Sequence, residues 1–392
     1  MKTFFCCGSL FVAVVFFPAP AASQTAVDLG GIVTLNFIDG GAAESPLRLN
    51  DGLPGFELYG DLFMNVRISD EVSAFLEVET WRGWEVRLYS GSLTYKISGA
   101  RLQVEAGKFA APFGNFLPRR FAPQNFVYGY PLYNEYRTGL AIDNIPGSNA
   151  ALLAGRGKFN AGGLAMMARN AYVTGFQFLG QLGAAGYHLG LANGALSNPS
   201  HLSESKRLLL FGRLYIQPTI GLKIGVSAAN GGYLNSALLK NTQPRLQPEK
   251  YGQTLAGVDV EYSRGYLVFY GEGVFSRWKS PLLRERLDAL AFSVEMRYKI
   301  LPRLFAAGRY GRIHFSEIAD LEEVDADGKL AVSASSRRAA PWEFPVWRFE
   351  PAIGYNLSRH ALVKAVWQIN RTDRPAGDPA DNLAAIQMSV FY

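Results

Sequence analysis

The chain has 392 residues, with 39 Lys and Arg against 33 Asp and Glu, a formal net charge of +6. A balance this mild, dispersed along the chain, leaves no basic footprint for nucleic acid and excludes that class of partner. With 48% hydrophobic, 13% aromatic and only 18% charged residues, and with 41 glycines, the composition suits an all-β chain; four histidines argue against a structural zinc site.

The opening "MKTFFCCGSLFVAVVFFPAPAASQ" places one cation at Lys2, an apolar run from Phe4 to Phe17 and small residues at Ala21 and Ser23. It predicts a secretory signal peptide over residues 1–23, cleaved before Gln24. Its apolar core is short for a spanning helix. Cys6 and Cys7 both fall inside it, so the exported chain has no disulfide. Its stability must come from a large core or a closed hydrogen-bond network.

Beyond the leader no stretch approaches the roughly 18 apolar residues of a membrane helix. The segments alternate instead. In "FELYGDLFMNVRI", Phe56, Leu58, Gly60, Leu62, Met64, Val66 and Ile68 share one face, and Glu57, Tyr59, Asp61, Phe63, Asn65 and Arg67 the other. The same two-residue period returns in "LDALAFSVEMRYKI", "VWRFEPAIGYNL" and the terminal "NLAAIQMSVFY". Strands are predicted near 27–38, 55–68, 72–82, 85–98, 101–109, 148–154, 159–169, 172–180, 186–194, 205–217, 220–231, 250–263, 266–278, 287–300, 303–316, 344–357, 361–372 and 382–392. That is eighteen strands, or sixteen if the hairpin in the Gly- and Ala-rich stretch 138–173 belongs to a loop.

Many of these runs have the length needed to cross a bilayer at a tilt. Connections after even strands are short, as in "SDE", "SGA", "PT", "RG", "LP" and "SRH". Most after odd strands are long: 39–54, 110–147, 232–249 and 317–343. Short turns at one end and long loops at the other predict a transmembrane antiparallel β-barrel of 16 to 18 strands in a bacterial outer membrane, occupying residues 24–392. Tyr262, Tyr298, Tyr355 and Tyr392 fall on outward faces near the periplasmic ends of their strands, where an interfacial girdle against outer-membrane lipid is expected. Tyr392 ends the closing strand and resembles the terminal aromatic signal read by the barrel assembly machinery.

The loop 110–147, Pro- and aromatic-rich, is expected to fold inward as a constriction, carrying Lys108 at its start and Arg119, Arg120 and Arg137 along it. Arginines in a narrow polar pore favour anions. The same arginines facing outward would instead meet lipopolysaccharide phosphates. Parity predicts inward bases at Arg207, Arg213, Lys223, Arg297, Arg309, Arg348 and Lys364, and inward acids at Glu57, Asp61, Glu77, Glu79 and Glu105. Such charges either set up a field across the pore or pair with neighbours and stiffen the wall.

"AGKFAAPFG" (residues 106–114) with its Arg-containing loop, and "GYHLGLANG" (residues 186–194), resemble the phosphate-selective porin O and P family. The resemblance implies a trimeric channel of 16 strands in which basic residues of the inward loop and wall select anions. Lys108 matches the family's Gly-Lys-Phe position; Arg119 and Arg120 match in loop and charge type.

Two enzymatic or metal readings are weaker. His201 and Ser203 in "HLSES" lack the context of a barrel lipase, and the acidic run "SEIADLEEVDADGK" departs from calcium-loop spacing. The sequence therefore predicts a non-enzymatic outer-membrane porin without cofactor or bound metal. It would pass small hydrophilic solutes by passive diffusion, with a mild anion preference that includes phosphate. The alternative is a plugged barrel serving as adhesin, receptor or substrate-specific exporter.

Overall fold

The structure, a computed structural model, describes residues 25–40, 54–81, 85–142, 145–157, 163–200, 205, 207–237, 239, 245–283, 285–319, 339–375, 377–378 and 381–392. The leader, its two cysteines, His201, Ser203 and most of the acidic run lie outside the described residues.

Sixteen antiparallel strands close into a barrel, each bonded to its neighbours in sequence and the last to the first. They are β1 (Ala26–Gly40), β2 (Gly55–Arg67), β3 (Val72–Trp81), β4 (Glu85–Lys96), β5 (Gln103–Ala110), β6 (Tyr172–Leu182), β7 (Ala185–Ala192), β8 (Leu209–Thr219), β9 (Leu222–Gly231), β10 (Gln253–Arg264), β11 (Leu267–Lys279), β12 (Arg286–Lys299), β13 (Leu304–Phe315), β14 (Val346–Asn356), β15 (Ala361–Thr372) and β16 (Leu383–Phe391). Short antiparallel pairs, Gly194–Ala195 with Asn198–Pro199 and Glu317–Ala319 with Ala339–Pro341, sit in the long connections.

Of the expected sixteen to eighteen strands the barrel has sixteen, the hairpin in 138–173 belonging to the loop. Residues 149–154, expected as a strand, form an α-helix, Asn149–Ala154, whose Ser148 hydroxyl accepts from the Ala151 N–H at 3.1 Å. The Ala- and Leu-rich "NAALLA" favours that conformation once an N-cap is present. Of the other expected strand, 159–169, residues 159–162 lie outside the described residues, and Gly163 makes only an isolated bridge to Ala141. The whole of 111–171 is therefore one connection, between β5 and β6.

Side-chain exposure inverts that of a soluble sandwich. On β12, Leu290, Phe292, Val294 and Met296 are exposed, while Ala291, Ser293 and Glu295 between them are buried. Closure matters because an unpaired strand edge in lipid would leave backbone groups without partners. Here β1 pairs with β16 in register from Ile32↔Phe391 to Gly40↔Leu383, and the Tyr392 N–H donates to the Gly31 carbonyl at 3.1 Å. No helix among the described residues is long and apolar enough to cross a membrane; the crossing is made by strands.

The main apolar core is not between sheets but inside the barrel. Phe113, Leu117, Leu132, Tyr133, Tyr136, Leu140, Met166 and Met167 of the 111–171 connection pack against inward Phe211, Leu255, Val274, Leu287, Ile313 and Phe315.

Candidate functional site

The 111–171 connection turns into the lumen at Gly114. There φ is +65°, a left-handed conformation that favours glycine, and an added Cβ would overlap the Glu272 carboxylate. Within the same "AGKFAAPFG" stretch Gly107 has φ +135°, and a Cβ there would overlap the Gly91 carbonyl across the β4–β5 pair. The two glycines thus let the strand approach its neighbour and the loop leave it.

From that point the loop is fastened to the wall formed by β8 to β15. Arg213 donates to the Gly114 carbonyl and, at 2.8 Å, to Asp259. Arg119 donates to Glu295 at 2.7 Å, with its guanidinium 3.8 Å from the Tyr270 ring centroid. Glu295 also lies 3.6 Å from Arg309, which grips Glu350 through Nε at 2.5 Å and donates to the Tyr128 carbonyl at 2.9 Å. Signs alternate along this buried chain, so each charge has an opposite neighbour. Lys364 ends in a cradle of three loop carbonyls, those of Ala122 (3.0 Å), Asn125 (2.6 Å) and Val127 (3.1 Å). Tyr133 donates to Glu272 at 2.6 Å, and Gln253 donates to the Met166 carbonyl at 2.6 Å. At the outer rim Glu343 accepts from the Gly139, Gly157 and Phe344 N–H groups at 2.8, 2.7 and 3.0 Å. Burial pushes its carboxyl up, against those donors.

The neighbouring arginine points the other way. Arg120 pairs with Glu77 on β3 and lies over the rings of Tyr89, Phe121 and Tyr172, with centroids 4.7, 3.8 and 5.1 Å away. Docking on one wall leaves space along the β1–β5 side, where three cavities adjoin through shared lining residues. The outer cavity, about 820 Å³, is lined by Arg87, Lys108, Arg137, Arg169 and Glu79 among its charged groups. The middle one, about 180 Å³, is lined by Asp61 and Glu79 on the wall and Arg120 and Arg169 on the loop, with Tyr59, Tyr128 and Tyr130. The inner one, about 790 Å³, reaches Phe63, Phe75, Tyr215, Lys223 and Tyr270.

The residues singled out from the sequence thus separate into groups. Lys108, Arg119, Arg120, Arg137, Arg213, Lys223, Asp61, Glu77, Glu79 and Glu105 line one or more of these cavities. Lys108 donates to the Leu88 carbonyl at 3.2 Å, Arg137 to the Gly163 carbonyl at 3.0 Å, and Glu105 accepts from Ser92 and Gln177 at 2.6 and 2.7 Å. Arg309 and Lys364 are buried under the loop, and Arg119 is buried on the loop's wall-facing side. Arg348, equally buried, gives its Nε to Asn370 at 2.7 Å, and Arg297 lies 4.5 Å from the Phe126 ring centroid. Arg207 precedes β8 and donates to Asn230; Glu57 accepts from Tyr59 at 2.7 Å. Tyr298, Tyr355 and Tyr392 are exposed and Tyr262 half-exposed, each at or within a few residues of the end of its strand. Arg169, paired with Glu135 at 2.5 Å, escaped the sequence reading because it closes the stretch taken for a strand. Assigning 148–169 to the loop would have exposed it. Among the described residues no group of three or more His, Cys, Asp or Glu is placed to hold a metal.

No family model matches the chain, and no curated protein is similar to it. Solved structures are. A loop-deletion mutant of OmpT, an outer membrane protein of Vibrio cholerae, has TM-score 0.56 at 11% identity over 94% of this chain and 100% of its own. The outer membrane channel DcaP of Acinetobacter baumannii has TM-score 0.56 at 13% identity, covering 94% and 97%. An anion-selective porin from Comamonas acidovorans has TM-score 0.55 at 10% identity, covering 94% and 99%. The fold is that of outer-membrane porins. A closed barrel of this kind, greasy outside and charged within, resides in the bacterial outer membrane.

Proposed function

We propose that the protein is an outer-membrane diffusion channel for small hydrophilic solutes, with its passage following the β1–β5 side of the lumen and widening toward β8–β11 in the inner cavity. The observation that carries this is the run of three adjoining cavities left beside a loop fastened to the opposite wall. The middle cavity, the smallest, is the constriction, formed by Arg120 and Arg169 facing Asp61 and Glu79.

A mild anion preference, with phosphate among the anions, arises in the outer vestibule. There Lys108 and Arg137 donate to backbone carbonyls and keep their charge, while Arg87 pairs with Glu85 and Arg169 with Glu135, and Glu79 is the acid on the same lining. Fixed positive charge in a partly desolvated mouth raises the local concentration of anions. Arg119 contributes little to it, since Glu295 takes its charge.

Conductance across a planar bilayer under a salt gradient tests both parts. Ohmic current with a reversal potential favouring the anion is expected; cation-favouring reversal would overturn the charge assignment. The apolar cluster that fills the rest of the lumen favours a second reading, a plugged barrel acting through its external loops as adhesin, receptor or exporter. Negligible conductance would select it. The exposed tyrosines near the strand ends serve as the lipid girdle, and Tyr392 as the mark for the assembly machinery. A trimer is the expected assembly, a form in which the Vibrio cholerae protein OmpT is also recorded.

A further inference from the structure

The inner cavity carries a feature that a passage for hydrophilic solutes does not need. From Glu57 to Arg67 on β2 and from Ser73 to Glu79 on β3 the inward positions are polar or charged except at Phe63 and Phe75, whose rings lie nearly parallel, 15° apart with centroids separated by 6.5 Å. Both line the cavity and both are half-buried, so they present ring surface to it. Leaving such surface against lumen water is unfavourable unless something apolar covers it. The loop covers part: Phe121 meets Phe63 edge-on, at 5.0 Å and 87°. Phe75 extends the platform beyond that contact. Across the cavity stand Tyr215 and Tyr270, also half-buried.

Cations accompany these rings. The Lys223 ammonium lies 4.6 Å from the Tyr215 centroid, and the Arg120 guanidinium 3.8 Å from that of Phe121. Of the acids on the same lining, Glu77 is taken by Arg120 and Tyr172, and Glu105 by Ser92 and Gln177. Glu261 stands beside Lys223 in the β9–β10 register.

We infer that the inner cavity is a binding subsite for small aromatic carboxylates, the planar ring stacking on the Phe63–Phe75 platform and the carboxylate turned to Lys223. This deepens the channel reading and rests on it. A solute of this class satisfies every stage of the path: its charge suits the basic vestibule, its flat shape the small middle cavity, and its ring the aromatic chamber. Stacking on such a platform is worth about two- to tenfold in affinity over a saturated ring of the same charge.

The test is block of the potassium chloride current through the full-length protein in planar bilayers by three probes: benzoate, cyclohexanecarboxylate and benzyl alcohol. Benzoate is expected to half-block at about two- to tenfold lower concentration than cyclohexanecarboxylate, and benzyl alcohol to block weakly. In Phe63→Leu and Phe75→Leu, which keep apolar bulk and whose folding is checked by heat-modifiable gel migration, the two carboxylates should become equivalent. Equal block by both carboxylates in the unaltered protein would overturn the inference while leaving the channel intact. Equal block by benzyl alcohol would overturn the role of the carboxylate, and a preference surviving both substitutions would overturn the platform. Absence of any ohmic current would instead remove the channel reading itself.

Discussion

Arg119 and Arg120 are adjacent, both buried and both ion-paired, yet they face opposite walls. Their removal should therefore have different effects. Arg120→Ala would remove the guanidinium that stands with Asp61 and Glu79 on the middle cavity and leave Glu77 of the inner cavity without it, so the reversal potential should move toward cations and the conductance should rise. Arg119→Ala should leave the reversal potential near that of the unaltered protein and loosen the loop instead, because its partner Glu295 faces the anchored wall. Both outcomes are read in the same bilayer experiment, and a common shift would refute the division. Lys364 poses a sharper case, since three buried carbonyls depend on one ammonium. Lys364→Met should cost on the order of 3 kcal/mol of loop docking, given that hydrogen bonds to charged groups are worth about 1.5–3 kcal/mol each. Faster amide exchange across residues 121–128 and a noisier current would show it, with barrel unfolding little changed.

At the scale of elements, the strands were legible because each alternates over ten residues or so, and a slip by one position would put charges in lipid. The short turns after even strands were legible for the same reason. What failed was the stretch 138–173, where small residues carry almost no contrast between faces; Asn149–Ala154 became a helix and the strand count fell to sixteen. Besides the Pro- and aromatic-rich composition of the loop, its inward turn leaves a local trace in the sequence, Gly114. Gly114→Ala should cost about 1–2 kcal/mol from the left-handed backbone alone, and more from the overlap with Glu272, which must then release Tyr133. Protease cleavage within 115–137 of the folded protein should increase; cleavage unchanged from the unaltered chain would show that the turn tolerates a side chain.

For the whole molecule, the inverted arrangement of greasy and polar surface makes substitutions on the two faces behave oppositely. Val294 is exposed in the middle of β12, between buried Ser293 and Glu295. Val294→Arg should destabilise the barrel by about 2–4 kcal/mol, the cost of arginine near a bilayer midplane, measured by reversible urea unfolding in lipid vesicles. A loss well below this would mean that the surface does not face hydrocarbon.

The amino-acid sequence by itself determined the all-β class, the closed membrane barrel and the alternation of greasy and polar faces along its strands. Each of these follows from a local period of two read against the chemistry of lipid and water. Only the tertiary structure decided which inward charges meet. Arg119 finds Glu295, 176 positions away, and Lys364 finds carbonyls about 240 positions away, because strands distant in sequence become opposite walls when the sheet closes. The side of the lumen that stays open is a property of those long-range pairings, and no local pattern encodes it.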